Sequence, residues 1–280
     1  MYLTNNTLPF STKKLAESIE TAGLKYVISP YSYDARFYID LKQRSQIKQG
    51  WLNNPYAGWL MALYSLRDHA NQLFNLVKGQ MIDEKEFMHK KHIYNEFMIK
   101  VEKQIEKYEK TNVTLNDILN MASIWILLTR SADLLVPMKS DGKKTLVTHN
   151  DSTVFIHNIR KEFEHLSKIL EKTSLCDLEA ESFVNRVLLT EEQNFKAQDT
   201  LWAFLPGLED VQECTDLIDL HVPQLIREKV PVVFAYPKSK EKELHLRFGL
   251  LPSVGKNTEE LYNLRVLDVL SSEYYLVTNK

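Results

Sequence analysis

Two flanks of alternating strand and helix signals enclose a long helical block, and this arrangement narrows the folds open to the chain. Alternation is the pattern of a sheet built from strand–helix–strand units, and a helical block cannot add strands to that sheet. Residues 1–80 and 190–280 are therefore expected to form one α/β domain, with 81–189 as a helical insertion carrying a hairpin. In the first flank, Leu15, Ala16 and Ile19 stand at helical spacing over residues 11–21, ahead of Gly23. Residues 24–28 read as a buried strand, and after a second short helix Gly50-Trp51-Leu52 reads as another. Asn54 and Pro55 read as N-cap and first residue of a helix ending near Gly79.

Inside the block, Asp83 with Glu86, and Thr114 with Asp117, have the spacing of N-terminal caps. Phe87, Ile93, Phe97, Val101 and Ile105 follow the first; Met121, Ile124, Trp125 and Leu128 follow the second. Ser140-Asp141-Gly142 is predicted to turn between strands at 134–136 and 145–147, and a third helix to span 158–170. The second flank predicts a strand over 200–204, a helix over 214–228, a buried strand over 230–236 and two adjacent strands over 264–270 and 273–278.

The formal net charge of -2 excludes a generally basic coat for nucleic acid but leaves room for a local basic face. Glycine is scarce, 8 of 280, which disfavours loops that wrap a nucleotide-like cofactor closely. No apolar run is long enough for a membrane helix, and residues 1–10 lack a signal pattern, so a cytoplasmic location is expected. Cys176 and Cys214 stand apart without metal-ligand spacing. His89 and His92, with Glu86 or Glu96, have the spacing to share a metal, but such pairs in Lys/Glu-rich helices are mostly solvated, and no metal is expected. No P-loop, dinucleotide fingerprint or nucleophile elbow occurs. The four tryptophans, Trp51, Trp59, Trp125 and Trp202, lie in apolar segments and are expected in the core.

Several segments, taken in order, resemble the Dam-type DNA adenine-N6 methyltransferases. Leu8-Pro9-Phe10-Ser11-Thr12-Lys13-Lys14-Leu15 resembles the opening motif, with Lys13 nearest its lysine. Tyr26-Val27-Ile28-Ser29-Pro30-Tyr31 is similar to the strand that runs into the family's "EPF". Ile126-Leu127-Leu128-Thr129-Arg130 followed by Lys139-Ser140-Asp141-Gly142 resembles the helix and hairpin that read DNA. The closing strand resembles Ser272 through Asn279. The resemblance implies a Rossmann-like methyltransferase sheet with a target-recognition insertion and S-adenosylmethionine as cofactor.

The chemical motifs depart from that pattern. The family's glycine loop falls on Tyr31-Ser32-Tyr33-Asp34-Ala35, where Tyr33 adds bulk and Asp34 places a negative charge near the cofactor's carboxylate. The acidic residue that bonds the ribose falls on Leu52 or Asn54, neither a carboxylate. The catalytic DPPY falls on Phe204-Leu205-Pro206-Gly207: Phe204 accepts no hydrogen from the target amine and Gly207 stacks on no base.

Three functional readings follow. The first is a methyltransferase-like pseudoenzyme without a working cofactor site. It would bind DNA, or serve an active methyltransferase as subunit or regulator, in phage or restriction biology. Arg130, Lys139, Lys143 and Lys144 would be its DNA contacts by resemblance, or else a solvated turn. The second is an active S-adenosylmethionine-dependent enzyme using Asp199 or Asp210 as acceptor, and the third a protein-interaction module without nucleic acid.

Overall fold

The computed structural model describes residues 10–32, 35–54, 56–106, 111–131, 137–140, 143–146, 154–155, 159–189, 197–206, 211–252, 256–257 and 263–280. The chain opens with α1 (Thr12–Ser18), β1 (Tyr26–Ser29), α2 (Arg36–Arg44) and β2 (Gln49–Asn53). There follow α3 (Ala57–Val77), β3 (Met81–Ile82), α4 (Glu84–Glu106), α5 (Leu115–Ser131), β4 (Pro137–Ser140), β5 (Lys143–Leu146), β6 (Val154–Phe155) and α6 (Arg160–Leu170). Next come β7 (Thr173–Cys176), α7 (Ala180–Leu189), β8 (Thr200–Phe204), α8 (Val211–Arg227), β9 (Val232–Pro237) and α9 (Glu241–Phe248). The chain closes with β10 (Leu250–Leu251), β11 (Lys256–Asn257), β12 (Arg265–Val266) and β13 (Tyr274–Thr278).

These elements form two compact units. One runs through Pro55 and resumes at Lys172; the other spans Tyr56–Glu171. The fold is α/β, as expected, but the division falls elsewhere than at 80 and 190. Helix α3, assigned from sequence to the sheet domain, belongs to the helical unit, because its apolar face packs along α5 and α6. Strand β7 and helix α7, assigned to the insertion, belong to the sheet unit, because β7 pairs with β2.

The sheet unit holds a seven-stranded sheet in the order β12-β13-β9-β8-β1-β2-β7. The pairs β7–β2, β2–β1, β1–β8 and β8–β9 are parallel, whereas β13 runs antiparallel to both β9 and β12. The central strands are continuously buried: every residue of β8 and β9 is inside, the signature of strands covered on both faces. Gly50 of β2 lies under the Tyr38 ring of α2, where a Cβ would meet the ring at 2.6 Å. Burial pushes the Tyr38 phenol up to about 12, and its oxygen accepts from Thr173 Oγ1 at 3.1 Å and Lys42 Nζ at 3.0 Å. Helices α1 and α2 are joined through Asp40, which accepts from Thr12 Oγ1 at 2.7 Å.

Two boundaries differ from the sequence reading for local reasons. Asn54 does not cap α3: its backbone N–H donates to Cys176 O at 2.8 Å, extending the β2–β7 ladder, and the helix opens at Ala57 after Tyr56. Pro55 lies outside the described residues. The expected strand over 264–270 shortens to β12, although Leu267 N–H still donates to Leu276 O at 2.7 Å.

In the helical unit, α3 and α5 meet at Gly58, where an added Cβ would lie 2.3 Å from the Trp125 ring. Trp125 also packs edge-on against Trp59 at 5.4 Å and tilted against Tyr94 of α4 at 5.1 Å. Thr114 and Asp117 cap α5 reciprocally: Asp117 N–H donates to Thr114 Oγ1 at 3.2 Å and Thr114 N–H to Asp117 Oδ2 at 2.9 Å. Asp83 caps α4 by accepting from Glu86 N–H at 2.8 Å. Helix α3 kinks at His69, where Ser167 of α6 donates to the Arg67 carbonyl at 3.2 Å, an inserted side chain of the kind that breaks a helical ladder.

Candidate functional site

In an open sheet with parallel strands, ligands bind outside the carboxyl ends of the strands, where the chain order reverses. Here that point lies between β1 and β8: from β1 the sheet grows through β2 and β7 on one side and through β8 and β9 on the other. The loops after β1, β2, β7 and β8 frame the candidate site.

The loops after β1, β2 and β7 are tied together by the chain's own groups. Asn53, fully buried at the end of β2, donates through Nδ2 to Pro30 O at 3.1 Å and to Leu178 O at 2.8 Å. Its Oδ1 accepts from Leu178 N–H at 3.0 Å. Ser32 donates twice to the Asn53 carbonyl, from N–H at 3.0 Å and from Oγ at 2.8 Å. Ser29 Oγ donates to Tyr31 O at 3.0 Å. An amide that satisfies two carbonyls and one N–H has little capacity left for a ligand.

The cofactor-position residues lie in this framework. Pro30, Tyr31 and Asn54 are buried, and Leu52 is fully buried in the core. Tyr33 and Asp34 lie outside the described residues. Ala35 follows with φ 57, a left-handed conformation ordinarily given to glycine. Lys13 is exposed on α1. Leu52, Asn53 and Asn54 offer a ribose no carboxylate, and the Asn53 amide is occupied.

At the catalytic position, Phe204 is the last residue of β8 and fully buried, its ring stacked on Trp202 at 5.9 Å. Leu205 and Pro206 are buried behind it; Gly207 lies outside the described residues. Asp199 stands at the opposite end of β8, and its carbonyl accepts from Lys25 N–H and Tyr26 N–H at the start of β1. Its carboxylate pairs with Lys25 Nζ at 3.0 Å. A strand of five residues spans about 17 Å at ~3.3 Å per residue, so Asp199 is at the wrong edge to serve a reaction after β8. Asp210 lies outside the described residues.

Of the DNA-contact candidates, Arg130 is committed elsewhere. Its Nη2 lies 2.7 Å from Glu162 Oε1, and the two side chains are only 10% and 11% exposed. This is a correction to its expected role, since an arginine buried against a carboxylate is not presented to phosphate. Lys139 sits in β4 and Lys143 and Lys144 in β5, in antiparallel register that sets Lys139 opposite Lys144 and Ser140 opposite Lys143. The strands at 137–140 and 143–146 lie closer to the turn than the 134–136 and 145–147 read from sequence; residues 134–136, 147 and the turn residues Asp141 and Gly142 lie outside the described residues.

His92 pairs in solvent with Glu96 at 3.2 Å, both 67% exposed, and Glu86 pairs with Lys90 at 2.9 Å. Trp59, Trp125 and Trp202 are core residues, whereas Trp51 is half-buried beside Tyr26. Sequence reading missed Asp177, an exposed carboxylate directly after β7 at the carboxyl edge. The four-residue strand that places it shows no clean alternation of burial. Beside it, burial raises the Cys176 thiol above its ordinary range. Among the described residues no helix is long and apolar enough to cross a membrane. No protein-family model matches the chain, and no curated protein matches it significantly.

Proposed function

We propose that this chain is a methyltransferase-like protein of the Dam type that has given up methyl transfer and keeps a DNA-binding role. The observation that carries the reading is the strand order, a parallel core with a reversed strand, β13, between β9 and β12, which is compatible with the Rossmann-like sheet that the resemblance implies. On that scaffold a buried Phe204 stands where the amine acceptor belongs, and Asn53 ties shut the loops that would receive S-adenosylmethionine. The DNA role rests on the resemblance of this hairpin to the family's DNA-reading hairpin, with Lys139 and Lys144 at paired register positions.

Titrating the purified protein with S-adenosylmethionine tests the reading, because a ligand specific to the folded state raises the melting temperature. The expected result is no saturable rise, no transfer of a labelled methyl group to DNA, and retention of a DNA duplex at low salt that weakens as salt rises. Methylated product would overturn the inactive reading; absence of DNA affinity at low salt would overturn the DNA role and leave a protein partner, such as an active methyltransferase subunit.

A further inference from the structure

Residue Ser131 ends α5 and Arg160 begins α6, and between them the chain makes the excursion that carries β4 and β5. Besides β5, which lies against α4, two attachments bracket this segment within the helical unit. On its returning limb, β6 pairs with β3, Ile82 opposite Val154. At its base, Arg130 and Glu162 are joined at 2.7 Å. They lie 32 residues apart in sequence and flank the departure and return points.

We infer that the Arg130–Glu162 pair is a staple that closes the base of the excursion, and that Arg130 is a positioning residue for the lysine hairpin and not itself a nucleic-acid contact. The hairpin's role rests on the DNA-binding reading above; the staple does not. A nearly buried ion pair interacts strongly because little water screens it, and removing one partner strands the other charge in the same poor solvent. Closing a long loop costs chain entropy, which such a cross-link offsets.

Two predictions of opposite sign separate positioning from contact. If Arg130 were a phosphate contact held back by Glu162, Glu162→Gln would release it, tighten binding and steepen the salt dependence by about one unit of slope. If the pair is a staple, Glu162→Gln and Arg130→Gln each weaken binding of a short random-sequence DNA duplex by about tenfold and leave the salt slope unchanged. Lys139→Ala with Lys144→Ala, by contrast, lowers the slope by about two.

Limited trypsin digestion reads the staple without DNA. Either single variant is expected to speed cleavage after Lys139, Lys143 and Lys144 relative to cleavage after Lys78 or Lys103, exposed sites of the same helical unit that report its general loosening. The swapped pair, Arg130→Glu with Glu162→Arg, is expected to restore protection. Tighter binding by Glu162→Gln, or unchanged relative cleavage in both single variants, overturns the inference. A wild-type protein without DNA affinity overturns the DNA reading alone, and the cleavage ratios then decide the staple.

Discussion

Asparagine and aspartate differ by one donating group, and at residue 53 that group has two carbonyls to satisfy, Pro30 and Leu178. Asn53→Asp would set a carboxylate against both of them in a fully buried position, a loss of about 3 kcal/mol of stability measurable by urea unfolding. Asn53→Ala removes the donors without adding a charge and is expected to cost about 2 kcal/mol. Neither change should create a thermal response to S-adenosylmethionine. An Asn53→Asp protein as stable as wild type, with a melting temperature that climbs with the cofactor, would show that the loops after β1, β2 and β7 were not closed in this way. Sequence made Phe204 readable as a non-acceptor, since the strand ending there carries its own apolar signal. It did not reveal Asn53, because a side chain bonded to a backbone 125 residues away leaves no local trace. Arg130 was unreadable for a similar reason: its partner Glu162 lies 32 residues away.

Among the elements, α3 depends on a glycine near its start. Gly58 lets the Trp125 ring lie against the helix backbone, and the ring's other neighbours, Trp59 and Tyr94, leave little room for retreat. Gly58→Ala gains helix propensity but is expected to lose about 2 kcal/mol through overpacking, with a changed near-ultraviolet dichroism as the aromatic cluster shifts. A stabilised variant would mean that α3 and α5 separate at little cost. Elements with chemical punctuation were legible: α4 and α5 begin at their reciprocal or single caps, and β8 and β9 are the apolar runs they were read to be. Elements defined only by pairing were not. Strand β7 is a strand because β2 lies beside it, and β12 is two residues held by β13. The start of α3 moved because Asn54 was drawn into the sheet ladder by Cys176, a competition that its capping preference does not record.

At the scale of the molecule, β2 and β7 are parallel neighbours, with Gly50 opposite Thr173, yet the segment from Tyr56 to Glu171 separates them in sequence. Parallel neighbours cannot be joined by a tight turn, because the chain must travel back along the full length of the strand before it starts the next. The whole helical unit therefore serves as the return path between them. Replacing residues 56–171 with about four residues is expected to abolish folding of the sheet unit, whereas about fifteen flexible residues should permit it, judged by cooperative thermal unfolding. Equal behaviour of the two linkers would argue against the β2–β7 pairing. An appendage joined through a hairpin can be trimmed cleanly by deletion; this one cannot, and any shortened descendant of the protein would have to build a bridge in the same step that removes the block.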